Sequence, residues 1–187
     1  MRIAYTVRMS ERARTVRLAV YPDARVVVTM PLAPGRTGGQ ARFFGSGAIE
    51  RFVAKHSGWV EKQLAKTKGK TVVPLKRADV AILKKRALAL ASVRCRHFAG
   101  LYGFTYKKIS IRAQKSRWGS CSREGNLSFN YKLAVLSPEL ADYIIVHEVC
   151  HLREMNHSKK FWALVAQSIP EHKKLRTELR NMVFTHS

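Results

Sequence analysis

Apolar and polar residues alternate along the first thirty positions of the chain. Ile3, Tyr5 and Val7 alternate with polar neighbours, residues 16–20 repeat the pattern, and the valines at 26–28 indicate a further strand. A period of two residues is typical of strands with one buried face. The pattern predicts an antiparallel N-terminal β-meander of about three strands.

A loop and a helix are predicted after these strands. Residues 31–47 hold two Pro and five Gly, a composition typical of a loop. Residues 48–66 place their apolar side chains at helical spacing, and Gly58 is the point where we expect this helix to break.

The middle of the chain predicts a linker, a long helix and two strands. Residues 67–76 are basic with few apolar positions, which favours a linker, and residues 78–102 carry an apolar helical stripe. Residues 107–112 and 127–131 alternate like strands. We expect these two strands to pair as a hairpin with a long connection.

A capped helix carries the main candidate for chemistry. Ser137-Pro138-Glu139 combines an N-cap residue, a proline at the first helical position and an acid in the first turn. The helix then contains His147, Glu148 and His151 in an H-E-x-x-H pattern. Positions i and i+4 share a helix face, so both imidazoles can reach one metal ion. Glu148 lies beside the first ligand, where it can act on a water.

The third ligand has several candidates in the sequence. His157 follows His151 by six residues, and a turn at Asn156 would bring it back towards the helix if Asn156 adopts the left-handed conformation. Glu154, about one turn after His151, is the main competitor. The more distant Glu171 and Glu178 are further alternatives.

Charge is the most unusual bulk property of the chain. The 187 residues include 35 Lys and Arg against 12 Asp and Glu, a net charge of +23. The excess is concentrated in residues 62–117, and it predicts a polyanionic partner such as non-specifically bound DNA. The alternative is a solvated surface that keeps the protein soluble, and no basic motif interleaved with aromatics supports sequence-specific reading.

Length and apolar content set the expected organisation. We expect one domain over residues 1–187, with the meander and loop in 1–47 and a catalytic core in 78–187. No apolar run is long enough for a membrane span, and no signal-peptide core precedes the first strand, so the expected location is cytoplasmic. Cys95, Cys121 and Cys150 form no pair pattern typical of disulfides. The oligomeric state is left open.

The chemistry expected from this pattern is hydrolysis at a zinc ion. Zn²⁺ lowers the pKa of a bound water, and Glu148 would serve as the general base for attack on a peptide bond. Arg117, Asn130 and Tyr131 are the candidate donors to the developing oxyanion. The edge of the strand at residues 127–130 could hold an extended peptide.

Four segments in order resemble a known family. They are RWGSCS at residues 117–122, GNLSFNY at 125–131, HEVCHL at 147–152 and NHSKKFW at 156–162. They are similar to the YgjP-type metal-dependent hydrolases, small zincin-like metallopeptidases related to the SprT-like and WLM proteases. The resemblance is specific over residues 107–165 and looser over the N-terminal part.

The resemblance implies an α+β fold with a zincin-like core. In such a core the active-site helix packs on a small antiparallel sheet, here preceded by the N-terminal β-meander. It also implies that His157 is the third zinc ligand. The SprT-like and WLM relatives link proteolysis to DNA, which suggests that this chain acts on DNA-associated proteins. A different class of function stays open, a basic nucleic-acid-binding module with a structural or inactive metal site.

Overall fold

The structure is a computed structural model that describes residues 3–32, 46–114 and 116–186. Most of the predicted loop at residues 31–47 lies outside these ranges. The helices are α1 (Ser46–Lys55), α2 (Ser57–Thr67), α3 (Val80–Tyr102), α4 (Pro138–Cys150), α5 (Lys159–Ser168) and α6 (His172–Asn181). The strands are β1 (Thr6–Ser10), β2 (Arg17–Val20), β3 (Val26–Pro31), β4 (Thr71–Leu75), β5 (Lys108–Arg112), β6 (Gly119–Cys121), β7 (Asn126–Asn130) and β8 (Met182–His186).

Two compact units make up the chain. The first contains residues 1–73 and 182–185, and the second contains residues 74–181 and 186–187. The boundary near residue 74 is close to the predicted start of the catalytic core at residue 78. That all 187 residues form one domain stays a prediction. None of the helices in the described ranges combines the length and the apolar character that crossing a bilayer requires.

The first unit contains the predicted N-terminal strands, with one difference in pairing. β3 is the central strand, and β2 runs antiparallel to it. β1 lies on the other side and runs parallel to β3, from Thr6 opposite Val27 to Ser10 opposite Pro31. The expected antiparallel pairing of β1 is therefore wrong. The chain reverses once between β1 and β2 and again between β2 and β3, so β1 and β3 run in the same direction.

The core of the first unit lies between β3 and α1. Val28 and Met30 of β3 pack with Val53 of α1. Partly buried apolar residues complete the cluster, namely Ile3, Tyr5, Val16, Leu18 and Ile49. The predicted helix at residues 48–66 is two helices, α1 and α2, that meet at His56. The break therefore lies two residues before Gly58.

Residues 67–76, expected to be a linker, contain the strand β4. β4 pairs with β8 in a two-stranded sheet. The last helix, α6, ends at Asn181, and the chain continues as β8. The strand was missed because its partner is about a hundred residues away and its own pattern, with Pro74, is weak.

α3 and α4 form the core of the second unit. α3 buries a stripe of mostly small residues, and it ends at Gly103 in the left-handed conformation, with φ of 66°. α4 buries almost its whole length. Arg94 of α3 binds the carboxylate of Asp142 of α4 with both ends of its guanidinium, at 2.6 Å from Nε to Oδ1. Tyr102 joins α3 to α5 through the Leu164 carbonyl, at 2.9 Å.

The sheet of the second unit is mixed rather than antiparallel. β7 is central, β6 is antiparallel to it and β5 is parallel to it. The expected hairpin of β5 with β7 is therefore wrong, because the hairpin is formed by β6 and β7. Its turn closes with Gly125 N–H donating to the Ser122 carbonyl at 3.0 Å, and Gly125 has a φ of 80° that favours glycine.

Candidate metal centre

α4 positions the H-E-x-x-H residues as its sequence predicts. Ser137 caps the helix through its Oγ, which accepts from Leu140 N–H at 3.4 Å, and Pro138 follows at the first position. The helix ends at Cys150, so His147 lies in its last turn and His151 is the residue that follows. The i and i+4 spacing keeps the two imidazoles on one face, with ring centroids 4.9 Å apart.

A short turn returns the chain so that His157 faces the same point. Asn156 does not adopt the expected left-handed conformation. Its Oδ1 instead accepts from Ser158 N–H at 3.2 Å, and the Ser158 Oγ caps α5 by accepting from Phe161 N–H at 3.4 Å. Two short polar side chains thus satisfy the exposed amides and fix the start of α5.

The three histidines converge on one small volume. One ring nitrogen from each of His147, His151 and His157 lies within 4.8 Å of the others, and among the described residues this is the group suited to a metal ion. His147 Nε2 and His157 Nε2 are 3.0 Å apart. Ligands about 2.1 Å from a tetrahedral metal are roughly 3.4 Å from one another, so the donor set fits such an ion.

The first two histidines are held in different ways. His151 Nδ1 is 2.8 Å from the Glu154 carbonyl, a contact that leaves Nε2 for a ligand. Glu154 therefore supports the site through its backbone. His147 Nδ1 is buried and has no hydrogen-bond partner among the described residues. Ring contacts hold His147 instead, since Tyr143 lies edge-on at 6.1 Å between centroids.

Two aromatic residues of α5 pack against the histidines. Phe161 is fully buried and its ring centroid lies within 4.9 Å of all three imidazoles. Trp162 stacks on His157 at 5.6 Å and on His172 at 5.3 Å. These rings restrict the imidazoles to the orientation in which their nitrogens converge.

Burial keeps two of the imidazoles neutral. Burial, together with the charges of the other two histidines and of Arg176, lowers the pKa of His147 to about 3. The pKa of His157 is lowered too, mainly by burial and then by His151 and Arg176. A neutral imidazole is the form that binds a metal, so both residues have the ligating form at neutral pH.

Glu148 lies in a narrow space beside β6. Its side chain is buried, and burial raises its pKa to about 8, although the nearby charge of Arg117 acts in the opposite direction. A Cβ atom at Gly119 would come within 2.6 Å of Glu148 Cγ and 2.7 Å of Oε1. Only glycine at position 119 leaves room for this carboxylate.

Asn130 supports the loop before β6. Its amide donates to the Gln114 carbonyl at 2.7 Å and to the Arg117 carbonyl at 3.0 Å, while its Oδ1 accepts from Lys132 N–H at 3.2 Å. Asn130 is buried and its hydrogen-bonding groups are occupied. Of the three expected oxyanion donors, Arg117 lines the cleft at Glu148, whereas Asn130 and Tyr131 do not.

The cleft also contains residues that the sequence did not single out. Gly119, Tyr143, Arg176 and Arg180 line it together with His147 and Glu148. Tyr143 could have been found from its helical spacing to His147, but α6 gives no signal that it faces the metal centre. The expected substrate edge at residues 127–130 is also wrong. β7 is paired on both sides, and β6 is the edge strand at the cleft.

The three cysteines have no part in the ligand group. Cys95, Cys121 and Cys150 are free, and Cys95 and Cys150 are buried. Burial raises the pKa of all three thiols, to about 12 for Cys95 and about 11 for the other two. All three are therefore protonated thiols at neutral pH, and Cys95 and Cys150 are core residues.

The sequence of the chain matches the profile of a known protein family. The profile described as YgjP-like, metallopeptidase domain, matches residues 74–182, which is more than half of the chain and contains every residue of the cleft. The chain belongs to the YgjP-like metallopeptidase family. The predicted membership is confirmed, and the family supports a metal-dependent peptidase, an enzyme class that acts on proteins or peptides.

Two solved structures resemble the YgjP-like domain weakly. The crystal structure of the metallopeptidase zymogen of Pyrococcus abyssi abylysin is 25% identical, with a TM-score of 0.44, over 50% of this chain and 99% of that chain. That of Methanocaldococcus jannaschii jannalysin is 22% identical, with a TM-score of 0.43, over 48% of this chain and 93% of that chain. Likeness at this level carries no argument about function. None of the curated proteins matches the chain significantly.

Proposed function

We propose that this YgjP-like protein is a zinc-dependent peptidase whose zincin-like core holds Zn²⁺ on His147, His151 and His157. The observation that carries the proposal is the convergence of three imidazole nitrogens within 4.8 Å beside one buried carboxylate. A set of three nitrogen ligands with an open fourth position is typical of catalytic zinc. When bound, zinc supplies a water of lowered pKa and polarises the scissile carbonyl.

Glu148 is the general base in this proposal. It takes the proton of the attacking water and passes it to the leaving amine when the peptide bond breaks. Its high pKa in the metal-free protein results from burial, and a nearby cation favours the carboxylate form that the reaction needs. A structural metal site would have no use for a carboxylate held in a space that a single Cβ would close.

Arg117 is the proposed donor to the oxygen of the scissile carbonyl. It is exposed in the cleft, and its charge acts on Glu148, so it lies close to the reacting atoms. Asn130 contributes indirectly, because its amide holds the Arg117 carbonyl in place. Donors held in position before the reaction stabilise the developing oxyanion most effectively.

Zinc content and peptide cleavage together test the proposal. Glu148→Gln should bind one zinc ion per chain as the wild type does, and should lose at least about 1000-fold in kcat. The measurements are metal analysis of the purified proteins and single-turnover cleavage of an unstructured protein such as casein. Equal cleavage by the zinc-loaded variant and the wild type would reject Glu148 as the base.

A second pair of variants tests the third ligand. His157→Ala should lose stoichiometric zinc, whereas Glu154→Ala should retain it, because the carbonyl that accepts from His151 belongs to the backbone. Metal analysis after dialysis against a weak chelator separates the two results. Zinc retained in His157→Ala and lost in Glu154→Ala would reverse the assignment.

A second candidate function, favoured by the net charge of +23, is binding to DNA or another polyanion, with DNA-associated proteins as substrates. Lys84, Lys85, Arg86 and Arg96 are exposed on α3 and supply part of this charge. Binding of a duplex of random sequence should weaken steeply between low and physiological salt, since released counterions drive it. Absence of binding at low salt would leave these residues as a solvated surface, the alternative given above.

A further inference from the structure

The cleft carries an excess of positive charge that the proposed chemistry does not use. Three arginines line it, Arg117, Arg176 and Arg180, and all three are exposed. Glu148 is the single acid among its described lining residues, and that side chain is only 6% exposed. Arg117 serves the scissile carbonyl in the proposal above. The two arginines of α6 remain without a role in catalysis.

α6 directs these two arginines to the cleft by helical spacing. Arg176 and Arg180 are separated by four residues and share a face, and Leu179 between them is buried against the same cleft. The acids near Arg176 in the sequence do not lie in the cleft: Glu171 pairs with Lys174 at 3.5 Å, and Glu178 lies outside the cleft lining. No salt bridge joins Arg176 to a carboxylate in the described part of the chain.

Stacking holds the guanidinium of Arg176 beside the metal centre. Its central carbon lies 5.3 Å from the ring centroid of Trp162, and Trp162 in turn stacks on the ligand His157. The positive charge of Arg176 contributes to the lowered pKa of both His147 and His157, in agreement with this position. An arginine stacked on an aromatic ring keeps its N–H groups in plane, where they can bind a carboxylate at two points.

We propose that Arg176, supported by Arg180, binds a carboxylate of the substrate next to the scissile bond. This inference rests on the proposed peptidase function, since it places the carboxylate relative to the bond that is cleaved. The substrate class is thus peptides that carry a carboxylate in this region, supplied by an Asp or Glu side chain or by the free C-terminus. Arg176 acts as a specificity residue, not as a group that reacts.

A matched peptide set tests the proposal on the zinc-loaded protein. Quenched-fluorescence peptides are made with Glu or Gln at each of three positions on either side of the cleaved bond. Each is made with a free and an amidated C-terminus. The wild type should cleave at least one carboxylate-bearing peptide about 10- to 100-fold better in kcat/KM than its neutral partner. The Glu/Gln arm and the acid/amide arm identify the source of the carboxylate.

Substitutions in α6 test whether Arg176 causes the preference for peptides that carry a carboxylate. Arg176→Gln should reduce the ratio of kcat/KM for the acidic and neutral peptides by about 10-fold or more, mostly through KM, and Arg176→Lys should recover part of it. Lys173→Gln is the matched control, because it removes one charge from an exposed position of α6 outside the cleft. It should leave the ratio unchanged. Zinc content is measured for each variant, because Arg176 contacts Trp162, which stacks on the proposed ligand His157.

Binding separates failure of this inference from failure of the peptidase proposal. The zinc-loaded Glu148→Gln variant should bind the acidic peptide at least about 10-fold more tightly than the neutral one by calorimetry, even if no peptide is cleaved. Cleavage without any preference for a carboxylate would overturn the inference and leave the peptidase proposal standing. Equal binding of both peptides, with displacement by a short oligonucleotide, would assign the arginines to phosphate and overturn it as well.

Discussion

The two three-stranded sheets of this protein have the same strand order and different uses. In both, the third strand is central, the first runs parallel to it and the second antiparallel: β1-β3-β2 in one unit and β5-β7-β6 in the other. The sheet of the N-terminal unit packs on α1 and forms a core. The other sheet forms a core and also one wall of the metal centre.

The second strand of each sheet accounts for the difference. β2 reads RLAV, whereas β6 reads GSC. Small side chains on β6 let α4 approach closely enough for Glu148 to lie against Gly119. At the end of the central strand, one sheet has Pro31 and the other has Asn130, whose amide holds the loop that carries Arg117. One strand order thus supports a reactive carboxylate only where residues of the right size and polarity occupy these positions.

The largest expected effect comes from the cores of the two sheets. Phe129 and Val28 are both fully buried on central strands. Phe129→Ala should cost about 3 to 5 kcal/mol of unfolding free energy and abolish zinc binding, whereas Val28→Ala should cost about 2 kcal/mol. Urea unfolding and metal analysis check both. Because the ligands all lie in the second unit, Val28→Ala should retain zinc, and its loss would show that the sheets are not independent in this respect.

Gly119 tests the close approach of β6 to α4. Gly119→Ala should displace Glu148 and reduce kcat about 100-fold with zinc still bound, because the ligands are on α4 and the turn that follows it. Gly58→Ala in the N-terminal unit is the control, since a Cβ there meets nothing within 4 Å. Steady-state kinetics and zinc content are the measurements. Full activity in Gly119→Ala would mean that the strand can move away at little cost.

The pH dependence of stability in the metal-free protein tests the burial of Glu148. Burial raises the pKa of Glu148 from 4.5 to about 8, so the folded state binds a proton more tightly than the unfolded chain between these values. Stability from this group is therefore present below pH 4.5 and is lost as the pH rises towards 8. Glu148→Gln removes this pH-dependent loss and should be more stable than the wild type by roughly 4 kcal/mol at pH 8.

The difference in stability between the wild type and Glu148→Gln reports on Glu148 alone, because the other titrating groups are present in both proteins. His147 acts in the opposite direction, since its lowered pKa makes stability rise with pH between about 3 and 6.5, but it is present in both proteins. Thermal unfolding of metal-free samples at pH 5, 6, 7 and 8 provides the comparison. A constant difference over this range would mean that Glu148 ionises at its ordinary pKa.

The smallest effect is expected at the end of the central strand. Asn130→Ala leaves the Gln114 and Arg117 carbonyls without their donor, and we expect a loss of about 10-fold in kcat/KM as Arg117 moves. Lys132→Ala nearby keeps those two bonds and serves as the control. An unchanged kcat/KM in Asn130→Ala would mean that the hydrogen bonds of Asn130 to the Arg117 loop do not affect the reaction.

Local patterns predicted most of the helices and the centre of the site. Ser137 caps α4 as expected, the predicted helix at residues 78–102 is α3, and His147, His151 and His157 converge. These features depend on neighbours within a few turns of helix, where spacing and capping have a direct physical effect. The family also followed from local motifs, and the profile match confirms it.

Pairing between distant segments was not predicted. β4 appeared as a linker because its partner β8 lies near the end of the chain. The parallel partners β1 with β3 and β5 with β7 were expected to be antiparallel, since alternation shows that a strand exists but not the direction of its neighbour. The predicted use of β7 as a substrate edge failed for the same reason.

The sequence alone determined that His147 and His151 can share a metal ion and that Glu148 lies beside them, because an i and i+4 pair on a helix shares a face in any fold. Only the tertiary structure decided that Gly119 makes room for Glu148, that Asn130 supports a loop rather than the cleft, and that Arg176 faces the metal centre. These contacts join segments that are not neighbours in the sequence, and only the packing of the helices on the sheet brings such segments together.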